Sequence, residues 1–182
     1  MIRKAAFAAV AVAVALFALP AGSALGAEAD IAKHASCKFC GMDREKWNFS
    51  RVYLEYDDGT TEGTCSIHCA AVDLAVNLDR FPTTIWVADF ATKELTDAEK
   101  AVWVIGGKKP GVMTRRAKWA FADQTAAEAF IELNEGTVAT YDQVIEGAYL
   151  DMYEDTKMIR ERRAAKRQAA AEQKAPGAAP AK

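Results

Sequence analysis

Residues 50–69 have the sequence SRVYLEYDDGTTEGTCSIHC, and this stretch decides the fold. Positions 50–57 alternate apolar and polar side chains, which is typical of a strand with one buried face. The DDGT segment at 57–60 has the composition of a hairpin turn, so residues 61–65 are expected to return as a second strand. Ser66 can then cap a helix that runs to about residue 78.

The same order of elements occurs a second time along the chain. A strand at 84–89 completes the first unit. The second unit is predicted from a buried strand, a Gly-rich loop, an alternating strand, a helix and a last strand, at residues 101–105, 106–111, 117–121, 124–134 and 137–141. We therefore predict an α+β domain made of two ββαβ units, at 50–89 and 101–141.

A C-terminal helix is predicted after the two units, because helix formers dominate residues 142–171. Met152 and Met158 on this helix are assigned to helix packing. Residues 175–182 contain only Ala, Pro, Gly and Lys, which favours disorder. We divide the chain into a folded domain at 28–156 and a basic tail, first helical and then disordered, at 157–182.

The N-terminus has the pattern of a secretory signal peptide. Two basic residues precede an apolar run from Ala5 to Leu19, and small residues follow it. The run is shorter than the about 20 residues of a membrane span. We therefore predict that residues 1–27 are cleaved, that the mature chain has no stable membrane insertion, and that it resides in the periplasm. No Cys follows the run closely, so no lipoprotein cleavage site is predicted.

Charge is distributed unevenly along the chain. Residues 28–156 carry 23 acidic and 13 basic side chains, whereas residues 157–182 carry 8 basic and 2 acidic ones. An acidic body argues against nucleic acid as a partner, since phosphates demand a cationic surface. The basic tail could contact an acidic partner or a membrane surface, or it could be solvated.

Four Cys in two close pairs indicate a metal site. Cys37 and Cys40 form a Cys-x-x-Cys motif that is followed at once by Gly41 and Met42. The second pair lies at the predicted strand-to-helix corner, and the hairpin should return it beside the first pair. The candidate ligands from these two motifs are Cys37, Cys40, Met42, Cys65, His68 and Cys69. The start of a helix should also lower the pKa of the second pair of thiols.

This set of donor atoms does not by itself decide which metal ion binds. Two Cys pairs separated by about two dozen residues resemble a tetrahedral Zn(II) site, which would suit a structural module that recognises a partner protein. Thiolates together with a thioether instead select Cu(I). Met42 favours Cu(I), because Zn(II) seldom takes a thioether ligand.

Two interpretations of the Cys pairs that involve no metal are also open. Disulfide bonds within each pair would suit an oxidising compartment. A thiol oxidoreductase could use Cys37 and Cys40, although such motifs usually begin a helix and this one precedes a hairpin. No catalytic grouping typical of a hydrolase or a kinase is present, so we predict that the chain is not an enzyme.

Several motifs together resemble the NosL family of nitrous oxide reductase accessory proteins. In the first half they are the Cys40-Gly41-Met42 segment, the hairpin turn at 57–59 and the Cys65-Ser66 corner. In the second half they are WVIGG at 103–107, Met113, and FAD at 121–123 before an Ala-rich helix. The resemblance covers roughly residues 35–145. The part from Cys40 to Cys69 is also similar to short metal-sensing Cys modules.

The resemblance implies a periplasmic Cu(I) metallochaperone that supports copper-site assembly in an exported reductase such as nitrous oxide reductase. Its partner would be the exported enzyme that receives the copper. A Met of the second unit is a copper ligand in that family, and Met113 occupies the matching place. The chain departs from the family pattern in lacking a lipidation Cys and in its extra pair, Cys37 and Cys69.

Overall fold

Two antiparallel sheets and four helices build the chain in the computed structural model, which describes residues 29–174. The first half contains α1 (Ala29–Lys33), β1 (Val52–Tyr56), β2 (Thr61–Thr64), α2 (Ile67–Val76), β3 (Pro82–Ala88) and β4 (Leu95–Asp97). The second half contains β5 (Val102–Ile105), β6 (Lys118–Phe121), α3 (Gln124–Asn134), β7 (Thr137–Ala139) and α4 (Tyr141–Lys174). The predicted α+β fold with two ββαβ units and a C-terminal helix is confirmed. The predicted signal peptide and the segment 175–182 lie outside the described residues.

The first sheet is built around the β1–β2 hairpin. Its strands pair from Val52 opposite Thr64, and the backbone N–H of Tyr56 donates to the carbonyl oxygen of Thr60 at 3.0 Å. Gly59 takes φ +78°, in the left-handed region that favours glycine. The sheet continues through β3 to β4 in the order β2-β1-β3-β4. Because β2 returns antiparallel to β1, its end lies near the chain that enters β1.

The second sheet has the order β6-β5-β7. Asp123 caps α3, since its carboxylate accepts a 2.9 Å hydrogen bond from the N–H of Ala126. The two sheets meet where the N–H of Phe90 donates to the carbonyl oxygen of Ala120 at 2.8 Å. α1 and β4 were not predicted, because elements of five and three residues are too short to show a periodicity.

The apolar interior consists of two clusters, and each draws side chains from both halves of the chain. The first gathers β1, β3 and α2 side chains around Trp103. The second gathers the aromatic rings of Phe90, Trp119, Phe121 and Phe130 on one side and three Cys side chains on the other. The thiols therefore belong to the protein interior and are held by its packing.

A buried ion cluster fixes the chain that precedes the hairpin. The carboxylate of Asp30 lies 2.7 Å from a guanidinium nitrogen of Arg44 and 3.0 Å from one of Arg51, and none of the three side chains is exposed. Arg44 also donates to the carbonyl oxygens of His34 and Thr64, at 2.8 and 3.1 Å. This cation holds the segment before Cys37 against the strand that leads into Cys65.

α4 extends for 34 residues, slightly further than the predicted end near residue 171. It packs against α2 and β5. Among residues 29–174, no helix combines the length and the apolar character that crossing a bilayer requires.

Candidate metal centre

The first Cys pair lies in a tight turn immediately before the hairpin. The N–H of Cys37 donates to the carbonyl oxygen of Met42, and the N–H of Gly41 donates to that of Cys37, both at 2.8 Å. Gly41 takes φ +71°, a conformation that other residues rarely adopt. The turn folds the backbone back on itself between Cys37 and Cys40, so that both thiols lie on the same side of the turn.

The second Cys pair lies where β2 passes into α2. Cys65 directly follows β2, and Cys69 is four residues further, in the first turn of α2. The hydroxyl of Ser50 donates to the carbonyl oxygen of Cys65 at 2.8 Å and holds this corner to the entrance of β1. The hairpin thus returns the second pair beside the first, as the sequence predicts.

The four sulfur atoms form one compact group. All four Sγ atoms lie within 4.8 Å of one another. The Sγ atoms of Cys40 and Cys65 are 3.4 Å apart, and those of Cys65 and Cys69 are 3.8 Å apart. None of the four forms a disulfide bond, and only Cys40 is partly exposed. Such a group of soft donors can hold one thiophilic ion with a single exposed edge.

Hydrogen bonds among the thiols determine where their protons lie. The pKa of Cys37 falls far below its ordinary value, because its sulfur accepts hydrogen bonds from the thiol of Cys40 and from the other two. The pKa values of Cys65 and Cys69 are raised, chiefly by hydrogen bonding to Cys37 and also by burial. The prediction that the helix start lowers the pKa of these two thiols is therefore wrong for the metal-free cluster. Their protons must leave when a metal ion takes all four sulfurs.

Met42 and Met113 both line a cavity of about 580 Å³ that reaches Cys40. Met113 takes φ +61°, in the left-handed region that a side chain other than glycine seldom occupies. Strain of this kind tends to be retained where a function needs it. Both predicted thioethers thus line the same cavity as Cys40, the partly exposed thiol, and their assignment as metal ligands stays a prediction.

A comparison with known protein families identifies the family of this chain. The NosL family model matches residues 28–149, about two thirds of the chain. The chain belongs to the NosL family. No curated protein matches the chain significantly. Among solved structures, the copper chaperone NosL from Shewanella denitrificans is 20% identical with a TM-score of 0.48, over 59% of this chain and 87% of that chain.

His68 of this NosL-family chain is not a member of the four-sulfur group. Its Nδ1 lies 3.4 Å from a carboxylate oxygen of Asp155 on α4. Burial lowers the pKa of His68, which favours the neutral imidazole. His68 thus faces the C-terminal helix, and its assignment as a metal ligand stays a prediction.

The sequence did not predict any contribution of α4 to the site. Met158 lines the cavity beside Cys40, and Arg163 donates a 2.8 Å hydrogen bond to the carbonyl oxygen of Cys40. Both residues lie beyond the end of the NosL match at residue 149. The spacing of Asp155, Met158 and Arg162 is that of one helix face. It could have indicated a shared contact surface, but not what that surface meets.

Proposed function

We propose that the chain is a periplasmic Cu(I) carrier that supplies an exported copper enzyme such as nitrous oxide reductase. The observation that carries this proposal is the group of four thiol sulfurs within 4.8 Å, with Met42 and Met113 in the lining of the cavity that reaches Cys40. Soft thiolates and thioethers prefer Cu(I) to the harder divalent ions. Membership in the NosL family supports the same cargo and the same kind of receiver.

The arrangement suits transfer better than permanent storage. Three of the thiols are buried, whereas Cys40 opens onto the cavity. An incoming ligand from a receiver could therefore approach the ion along one edge and exchange with sulfurs one at a time. Cys37 and Cys40 lie in a turn and not at a helix start, so the site lacks the usual setting of a thiol oxidoreductase.

A structural Zn(II) site is the second candidate. With Zn–S bonds of about 2.3 Å, a tetrahedral shell has sulfur–sulfur distances of about 3.8 Å. The 3.4 and 3.8 Å separations around Cys65 are close to that value. The thioethers separate the two candidates, because only a copper site should depend on them.

Competition against a chromogenic Cu(I) chelator tests the proposal. The reduced chain without residues 1–27 should withhold one equivalent of Cu(I) under anaerobic conditions, and Cys40→Ser with Cys65→Ser should abolish this. Met42→Leu with Met113→Leu should weaken copper retention at least about tenfold while Zn(II) affinity stays unchanged. Met152→Leu, on α4 but outside the cavity lining, is the matched control.

The opposite results identify the second candidate. Stoichiometric Zn(II) in the isolated protein, unfolding by chelators and indifference to the Met substitutions would replace the copper carrier with a zinc module.

A further inference from the structure

α4 presents an outer face on the side opposite to the one that packs on the body of the protein. Val144, Ala148 and Met158 are buried on the inner side of this helix. On the outer side, Leu150 and Tyr153 are 73% and 75% exposed, and they lie next to each other because they are three residues apart on the helix. Adjoining large apolar side chains that are this exposed are typical of a contact surface.

The outer face repeats at the spacing of four and three residues by which one helix packs along another. We call these positions the outer stripe, and they are Glu146, Leu150, Tyr153, Lys157, Arg160, Ala164, Arg167 and Ala171. All of them are exposed except Ala164, which is half-buried. The stripe is acidic where it begins, apolar in its centre and basic beyond that.

The charges of the outer stripe nearest to its apolar centre are not used within the protein. In the part of the chain that the structure describes, no ion pair joins Glu146, Lys157 or Arg160 to another side chain. Asp151, on the body side of the same helix, instead lies 2.9 Å from a nitrogen of Arg116. The acidic and basic groups of the stripe are therefore free to pair with a partner molecule.

We propose that the outer stripe is the interface of a homodimer, in which α4 of a second copy lies antiparallel against it. In the register that sets Leu150 of one copy opposite Tyr153 of the other, Glu146 falls opposite Lys157, because each is four residues further along its helix. A two-fold axis forms each of these contacts twice. A parallel pair would instead set Glu146 against Glu146 and Lys157 against Lys157, so the order of charges selects the antiparallel arrangement.

The surface around Tyr153 has room for the facing apolar side chain. A shallow groove of about 250 Å³ lies beside it, lined by Tyr153, Thr156, Lys157, Arg160 and Glu161. In the proposed register, Leu150 of the other copy lies over this groove. The cavity beside Cys40 is lined by Met158 and Arg162, which face the body, so the dimer leaves it open. The inference therefore does not depend on the metal or on the proposed function.

Sedimentation equilibrium of the reduced, metal-free chain without residues 1–27 tests the dimer. Glu146→Lys and Lys157→Glu should each raise the dimer dissociation constant at least about tenfold, because two attractive contacts become repulsive. The double variant exchanges the charges and should return the constant to within about threefold of the wild-type value. Far-UV circular dichroism should be the same for all of these chains.

A second comparison tests the apolar centre of the interface. Leu150→Ser should also raise the dissociation constant at least about tenfold, because each dimer loses two buried leucines. Leu133→Ser, at a site on α3 that is 80% exposed and outside the stripe, should leave the constant unchanged.

Three results would overturn the inference. The first is a wild-type chain that stays monomeric up to about 1 mM, the limit of weak association. The second is a dimer that Leu150→Ser and the single charge variants leave intact, or that the double variant does not restore. The third is a monomer that co-sediments with vesicles of anionic phosphatidylglycerol and loses this binding in Leu150→Ser, which would assign the stripe to a lipid surface.

Discussion

The guanidinium of Arg163 donates a 2.8 Å hydrogen bond to the carbonyl oxygen of Cys40, which lies 123 residues earlier in the chain. This bond joins the last third of α4 to the turn that carries the most exposed thiol of the cluster. The C-terminal helix is thereby part of the wall around the metal centre. The rate at which a metal ion leaves past Cys40 should therefore depend on the position of α4.

Arg163→Ala should speed the transfer of bound Cu(I) to a chelator without changing the fold. An exposed hydrogen bond from a charged donor contributes about 1 kcal/mol or less, which corresponds to an increase of up to about fivefold. Stopped-flow transfer to a chromogenic chelator measures the rate. Arg167→Ala removes an exposed cation from the same helix and should leave the rate unchanged. Equal acceleration by both variants would assign the effect to charge alone.

Copper affinity should rise with pH. The raised pKa values of Cys65 and Cys69 mean that these thiols keep their protons in the metal-free cluster, and a protonated sulfur cannot ligate. Loss of one or two protons on binding makes the affinity rise about tenfold to a hundredfold per pH unit. Chelator competition between pH 6 and 8 measures this slope, after correction for protonation of the chelator. An affinity that stays flat over this range would contradict the proton assignment.

Local sequence patterns were sufficient to predict the elements that bring the thiols together. The alternation at 50–57 and the DDGT turn fix the hairpin, and a hairpin necessarily returns Cys65 beside the residues that precede it. The convergence of the two Cys pairs therefore follows from the sequence.

The path of α4 and the distribution of protons could not be predicted in the same way. A periodic face shows that one side of a helix is buried, but the surface it meets depends on tertiary packing, so Met158 was assigned to helix packing. The thiol pKa values depend on which sulfur accepts and which donates, and that is set by distances between distant residues.

Asp30→Asn should strongly destabilise the metal-free protein. The side chain neutralises the buried guanidiniums of Arg44 and Arg51, and breaking such a buried ion pair costs about 3–5 kcal/mol. Urea unfolding of the reduced chain gives the free energy of unfolding. Asp58→Asn alters an exposed carboxylate that faces Arg80 and should lower the free energy of unfolding far less. Similar losses in the two variants would show that the Asp30 cluster does not hold the fold.

Gly107→Ala should destabilise the loop that carries Met113 more than Gly106→Ala does. Both glycines take positive φ, at +86° and +84°, so either Ala costs about 1–2 kcal/mol in backbone strain. A Cβ at Gly107 would also lie 2.6 Å from the carbonyl oxygen of Asn134, at the end of α3, whereas a Cβ at Gly106 meets nothing within 4 Å. The clash adds about 1–3 kcal/mol at Gly107 alone.

The clash should also weaken copper retention, because the same loop is held to α3 by the 2.7 Å bond from the N–H of Lys108 to the carbonyl oxygen of Asn134. Loosening that contact frees the segment that places Met113 at the cavity. Urea unfolding and chelator competition on the two variants measure both effects. The Gly106 variant, with the same strain and no clash, should lose stability but keep its copper. Equal copper loss in the two variants would show that the position of Met113 does not depend on this contact.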